Sequence, residues 1–130
     1  METLTVKTHR RHEMIDVTER INDVIAQSGI EDGIALIYVP HTTAGMTINE
    51  NADPDVVHDI LLTLEDLVPH FRQGYQHGEG NSDAHVKASL MGPTVTVMVE
   101  KGRMQLGTWQ GIYFCEFDGP RTRRLMVKIS

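Results

Sequence analysis

The densest run of reactive side chains in the sequence is His77-Gly78-Glu79-Gly80-Asn81-Ser82-Asp83-Ala84-His85-Val86-Lys87-Ala88. It holds imidazoles, carboxylates, an amide, a hydroxyl and an ammonium. A structural loop needs turn formers and caps, but it does not need two histidines as well, so this surplus points to a site. With His41, these histidines make three imidazoles. Such a set can hold a zinc-like divalent ion and leave one position open for water or substrate. Magnesium and manganese are alternatives. Asp83 or Glu50 can accept from the distal ring nitrogens. The spacing of His77 and His85 is not the i, i+4 pair of a zinc-protease helix, so the same imidazoles also read as substrate ligands or loop caps.

Two other segments are rich in polar groups: 41–53 and 107–121. Thr42 and Thr43 offer hydroxyls, and Asn49, Asn51 and Asn81 offer amides. Arg121 follows Gly119-Pro120 and can form a fork on a phosphate or carboxylate; it can equally be a surface hairpin arginine. Trp109-Gln110, between Gly107 and Gly111, either lines a pocket or anchors a sheet edge. His9, His12, His58 and His70 read as structural or solvent-facing. Cys115, flanked by Phe114 and Phe117, reads as a small buried hydrophobe. The glycine-rich signatures of P-loop NTPases, Rossmann enzymes and α/β-hydrolases do not occur in this sequence.

The elements that must carry these groups follow from periodicity. Residues 3–8 alternate as a half-buried strand, and His9 to Glu13 reads as a polar turn. Asp16 or Thr18 caps a helix with an Ile21, Val24, Ile25 stripe that Gly29 ends. Residues 33–39 form a nearly continuous apolar run, expected to be covered on both faces and closed by Pro40. Met46 to Ile48 gives a brief strand. Asp53 and Pro54 then open a helix whose apolar face runs from Val56 to Leu67. The second half of the 77–88 segment predicts another helix. Asn81 or Ser82 caps it through a side-chain oxygen, Asp83 suits the dipole, and Gly92 ends it. Strands follow at Val95–Val99, Met104–Leu106, Gly111–Phe117 and Leu125–Ile129, separated by turns at Lys101-Gly102 and Asp118-Gly119-Pro120. This order implies an α+β fold: a compact single domain over residues 1–130, with helices packed on a mostly antiparallel sheet or sandwich.

Composition limits the partners. A formal net charge of −6 disfavours a nucleic-acid surface, since neutralising phosphates needs clustered Lys and Arg. The two small basic clusters, Lys7/Arg10/Arg11 and Arg121/Arg123/Arg124, are suited at most to a small anion. No apolar run has the length of a membrane span, and the N-terminus lacks the regions of a signal peptide. A lone cysteine excludes an internal disulfide. The expected setting is the cytoplasm, with no membrane or nucleic-acid partner.

Five motifs, in this order, resemble the YjbQ family, also called the secondary thiamine-phosphate synthase family. They are Pro40-His41-Thr42-Thr43-Ala44, Asn49-Glu50-Asn51-Ala52-Asp53, His77 to His85, Gly107-Thr108-Trp109-Gln110 and Asp118-Gly119-Pro120-Arg121. The resemblance implies a β-sandwich-like α+β domain assembled as a homotrimer. It also implies a shared pocket whose metal-holding histidine cluster maps onto His41, His77 and His85. The implied activity joins hydroxymethylpyrimidine diphosphate to thiazole phosphate. Glu50, Asn81 and Asp83 would be its catalytic groups, and Thr42, Thr43, Asn49, Asn51, Gln110 and Arg121 its substrate contacts. Such a reaction needs charge stabilisation on a leaving diphosphate and a dry pocket for a carbocation-like transition state. Two further readings are a metal-dependent hydrolase or lyase on a small phosphorylated metabolite, and a non-catalytic metal or metabolite binder.

Overall fold

Alternation of apolar and polar residues produces two antiparallel sheets. In the computed structural model, which describes residues 1–130, β1 (Glu2–Lys7), β8 (Thr122–Ile129), β3 (Gly33–Tyr38), β5 (Thr94–Glu100) and β6 (Arg103–Met104) form one sheet in that order. The other contains β2 (Glu13–Asp16), β7 (Gln110–Glu116) and β4 (Ala44–Glu50). Every strand pair is antiparallel. Val6, Ala35, Ile37, Val97, Leu125 and Val127 from the larger sheet meet Ala44, Met46, Ile112 and Phe114 from the smaller one. Helix α1 (Thr18–Ser28) adds Ile21, Val24 and Ile25 to this core. The fold is α+β, with three helices.

A second, smaller core lies on the other face of the three-stranded sheet. Met14, Tyr113, Cys115 and Phe117 pack there against Ala84 and Ala88 of α3 (Ser82–Met91) and the half-buried Val57, Ile60, Leu61 and Leu64 of α2 (Pro54–Leu67). Burial pushes the Cys115 thiol up to about 12, which fits an inert packing role. The C-terminal end of α3 sits directly on β4. The Gly92 carbonyl accepts from the Met46 N–H at 2.9 Å, and a Cβ on Gly45 would lie 2.8 Å from that carbonyl oxygen. Only glycine allows this approach, which fixes α3 beside the strand that follows His41.

Capping follows the sequence in part. Asp53 accepts from the Asp55 N–H at 2.9 Å, with Pro54 opening α2, and Gly29 ends α1 in the left-handed region. Asp16 accepts both the N–H and the hydroxyl of Thr18 at the start of α1. Asn81 is the N-cap residue of α3, but its side chain makes no capping bond. Three other expectations are corrected. Glu13 begins strand β2 and does not close a turn, because Met14 and Ile15 pair with Cys115 and Phe114. Strand β4 spans the longer Ala44–Glu50, since it pairs with β7 along its whole length. The apolar run of β3 is covered on one face only. Ala35, Ile37 and Val39 are buried, whereas Ile34 is 52% exposed and Leu36 and Tyr38 also face outward. No helix is long and apolar enough to cross a membrane.

Candidate functional site

The loops that follow β3 and β7 and the N-terminal end of α3 converge on one cleft of about 380 Å³. His41, Thr42, Thr43, His77, Asn81, His85 and Arg121 line it, joined by Glu79, Asp118 and Arg123. Its lining has no hydrophobic side chain. The three histidines from three distant parts of the sequence are thus brought to one place. His77 and His85 lie ring to ring in a perpendicular arrangement, with centroids 5.3 Å apart.

A buried ion pair braces the floor of this cleft. The Arg123 guanidinium donates to both oxygens of Glu116, and its second nitrogen also donates to the Thr43 hydroxyl at 2.7 Å. Thr8 and the Asp118 N–H donate to the same carboxylate. Burial alone would raise the Glu116 pKa; these donors outweigh it and hold it low. Thr43 is therefore committed to the scaffold, while Thr42 stands exposed at the rim. At the mouth, Arg121 donates to the Asp118 carbonyl at 2.8 Å and to its Oδ2 at 2.9 Å. Asn81 donates to the same Oδ2 at 2.8 Å.

His41 has a defined tautomer. Its Nε2 accepts the Arg124 backbone N–H at 3.1 Å. Burial first, then Arg123 and Arg124, lowers its pKa, so the ring is neutral. A neutral imidazole whose Nε2 accepts carries its proton on Nδ1. Neither nitrogen of His41 then has a lone pair to give a metal. A three-histidine cage does not fit while that bond is made; what His41 offers instead is an N–H donor.

Asp83 does not face this cleft. It lies on the opposite side of α3, fully buried, where Arg11 grips both its oxygens at 2.9 and 3.1 Å and Lys87 donates at 2.9 Å. Lys87, also fully buried, donates to Glu65 of α2 as well. His12 completes the cluster. Its Nε2 accepts from Arg11 at 2.8 Å, and its Nδ1 lies 2.8 Å from a Glu65 oxygen. Burial would raise the Asp83 pKa, but the hydrogen bonds from Arg11 and Lys87 prevail and hold it at about 2. Burial, then the Lys87 charge, keeps His12 neutral by lowering its pKa. Ligand atoms of His12, Glu65 and Asp83 approach within 4.8 Å of one another, as in a metal site. The Lys87 ammonium and the Arg11 guanidinium already supply the positive charge there.

The remaining predicted residues lie at the far end of β4, about 20 Å from Ala44 at the rise of an extended strand. Glu50 sits opposite Gln110, and its carbonyl accepts from the Tyr113 hydroxyl at 3.0 Å. Asn51 donates to Asp16 at 3.0 Å, Asn49 accepts its neighbour's N–H, and Gln110 accepts from Gly107. Within one chain, Glu50, Asn49, Asn51 and Gln110 do not join the histidines. Reasoning from sequence missed Asp118 as a cleft residue, and it missed the Arg11–His12–Glu65–Lys87 cluster. The signal for the latter was the Asp83/Lys87 pair at i, i+4 on a predicted helix.

Comparison with known proteins places this arrangement among relatives. Residues 2–130 match the family described as "UPF0047 protein YjbQ-like". The chain is 54% identical over 129 residues to the UPF0047 protein YugU of Bacillus subtilis, covering 99% of this chain and 98% of that protein. It is 36% identical over 118 residues to the UPF0047 protein YjbQ of Escherichia coli O157:H7, covering 88% and 85%. The crystal structure of an uncharacterized conserved protein of the YjbQ/UPF0047 family from Clostridium acetobutylicum superposes with a TM-score of 0.97 at 51% identity, over 100% of both chains. A conserved hypothetical protein from Thermus thermophilus gives 0.94 at 38% identity, also over 100% of both.

Proposed function

The chain belongs to the UPF0047 YjbQ-like family, and from that premise we propose that it is an enzyme acting on a small phosphorylated metabolite in the histidine cleft. One observation carries this reading: His41 Nδ1–H and the guanidinium of Arg121 share a cleft of about 380 Å³, large enough for such a ligand. Arg121 directs two N–H donors to Asp118, and the others are free for phosphate oxygens. The perpendicular His77/His85 pair supplies groups that can take and give a proton. In a hydrolysis, an imidazole would take a proton from water as its oxygen attacks phosphorus. The phosphorus–oxygen bond to the metabolite then breaks, and the leaving oxygen receives a proton. The predominantly polar lining favours this hydrolase reading over a carbocation route, which needs dry walls.

The thiamine-phosphate synthase-like transferase is the second reading. A specific observation favours it: His77 also borders a neighbouring cleft, where Phe71, 75% exposed, stacks on His70 with ring centroids 4.0 Å apart. That pair is a platform on which a pyrimidine ring can stack. A screen decides between the two. Release of inorganic phosphate from simple phosphoesters supports hydrolysis. Formation of thiamine phosphate and pyrophosphate from the two heterocyclic phosphates supports transfer. In either case Arg121→Ala should weaken a phosphorylated ligand roughly tenfold more than its uncharged analogue; equal loss for both rejects the phosphate contact.

The proposal includes assembly as a homotrimer in the cytoplasm, where a free thiol such as Cys115 stays reduced. Support for assembly comes from the outer face of the larger sheet, where Ile34 pairs in register with Met98, itself 69% exposed, beside Leu36 and Tyr38. Glu50, Asn49, Asn51 and Gln110 would join the histidine chemistry only across a contact between copies. Light scattering of the wild type should give three chains per particle, and Met98→Lys should lower that number. A monomeric wild type would remove the assembly from the proposal.

A further inference from the structure

Asn81 has a conflict that a ligand would resolve. The residue lines the cleft and is only 7% exposed, and its Oδ1 is the one buried side-chain polar atom in the chain without a hydrogen-bond partner. Turning the amide over would not help. Its Nδ2 donates to Asp118 Oδ2 at 2.8 Å, and a flipped amide would set two acceptors against each other. The residue is also the N-cap of α3, where an asparagine oxygen ordinarily accepts an N–H of the first turn; here it does not. A buried acceptor left in this state costs free energy comparable to a lost hydrogen bond. Native chains leave few such atoms, and those they leave call for an explanation.

The surroundings define what would satisfy this oxygen. Asp118 accepts from Asn81 and Arg121 through Oδ2 alone, and its Oδ1 makes no side-chain hydrogen bond. Glu79 adds a second carboxylate to the same lining. This side of the cleft therefore combines a buried amide oxygen with carboxylate oxygens, all of them acceptors. Arg121, which touches Asp118, and His41 with its Nδ1–H add donors to the same lining. We propose that Asn81 and Asp118 form an ammonium-binding subsite, so that the cleft takes a zwitterionic small molecule: a phosphate monoester that also carries a primary amine. The inference rests on the phosphate reading above and narrows it to aminated phosphates. Arg121 connects the two halves, since it holds Asp118 in place while its other N–H groups face the anion.

The test compares 2-aminoethyl phosphate with ethyl phosphate, two ligands of similar size that differ in the amine, by isothermal titration against the full chain. The wild type should bind the aminated ester at least about tenfold more tightly, as expected for a charge-assisted hydrogen bond made in a buried site. Asn81→Ala should weaken the aminated ester more than ethyl phosphate and so abolish that preference. Asp118→Asn, which keeps the shape and removes the charge, should reduce the preference severalfold. The wild-type comparison needs no variant, so it stands even if Asn81→Ala fails to fold. Equal binding of the two esters by the wild type overturns the ammonium subsite and leaves the phosphate reading intact. A preference that survives in folded Asn81→Ala also overturns it. If neither ester binds, the phosphate reading and this inference fall together.

Discussion

Helix α3 separates two polar clusters built from similar residues, and they have opposite characters. On one side, Arg11, His12, Glu65, Asp83 and Lys87 form a closed set: two cations, two anions and a neutral imidazole, each engaged by the others. On the other, the histidine cleft keeps unused capacity. His41 has an N–H that makes no hydrogen bond, Asn81 has an unpaired oxygen, and Arg121 has donors left over. A cluster whose groups satisfy one another fixes elements in place, whereas a cluster with unsatisfied groups is equipped to receive something. What separates the two is hydrogen-bond satisfaction more than residue type. Counting His, Asp and Glu within reach marks the closed cluster as the metal-like one. Counting unsatisfied hydrogen-bonding groups marks the open cleft.

The contrast breaks most sharply at Lys87. Replacing it with Met keeps the volume of the stem but leaves the Asp83 and Glu65 carboxylates without their shared ammonium. Removing one partner of a buried ion pair costs about 3–5 kcal/mol, and urea unfolding should show a loss of that size. Loss of less than about 1 kcal/mol would mean that Arg11 alone suffices and that the cluster is not a closed set. His85→Ala, on the cleft side of the same helix, should change stability by no more than about 0.5 kcal/mol.

Acid gives the next largest effect. Asp83 is held at about 2, below an ordinary carboxyl, so the folded state binds its proton less readily than the unfolded chain does. Its contribution is fully present above about pH 4 and is lost as pH falls through about 2. By linkage it amounts to roughly 2 kcal/mol. His12 and His41 act in the same direction at higher pH. Both are lowered in the folded state, so their part is present above the ordinary imidazole value and lost as pH falls below it. Asp83→Asn should flatten the stability curve between about pH 4 and about pH 2. An unaltered acid limb would assign that stability to other carboxylates.

The pattern also explains what the sequence disclosed. Local signals were readable: the alternation of β5 and β8, the Asp53-Pro54 start of α2, and the Gly29 end of α1 all depend on neighbours within a few residues. The cleft was readable in part, because His41, His77, His85 and Arg121 stand in motifs with more polar chemistry than turns require. What was not readable depends on distant pairing. Arg11 meets Asp83 across 72 positions, and no periodicity marks such a pair. Strand β2 is too short to alternate visibly and exists because β7 lies beside it. The outward face of β3 is as apolar as the buried one, so composition could not tell which side is covered.

The smallest effect is the position of one proton, yet it discriminates between the roles open to the cleft. A metal cage requires a lone pair from His41, whereas an anion site requires an N–H from it. The Arg124 N–H at Nε2 selects the second. Nitrogen NMR of histidine-labelled protein near neutral pH should find the His41 proton on Nδ1, and inorganic phosphate should move that resonance without transferring the proton. Elemental analysis adds the complementary reading. A stoichiometric divalent ion in wild-type protein that disappears in both His85→Ala and His41→Ala would require His41 to leave Arg124 and would restore the cage. A proton on Nε2 would carry the same implication, since Nδ1 would then hold the lone pair. His41 is held by the backbone of β8 and not by a mobile side chain, and the bond lies at the exposed surface. While the Arg124 bond is made His41 stays a donor, and the proposed anion site depends on that proton on Nδ1.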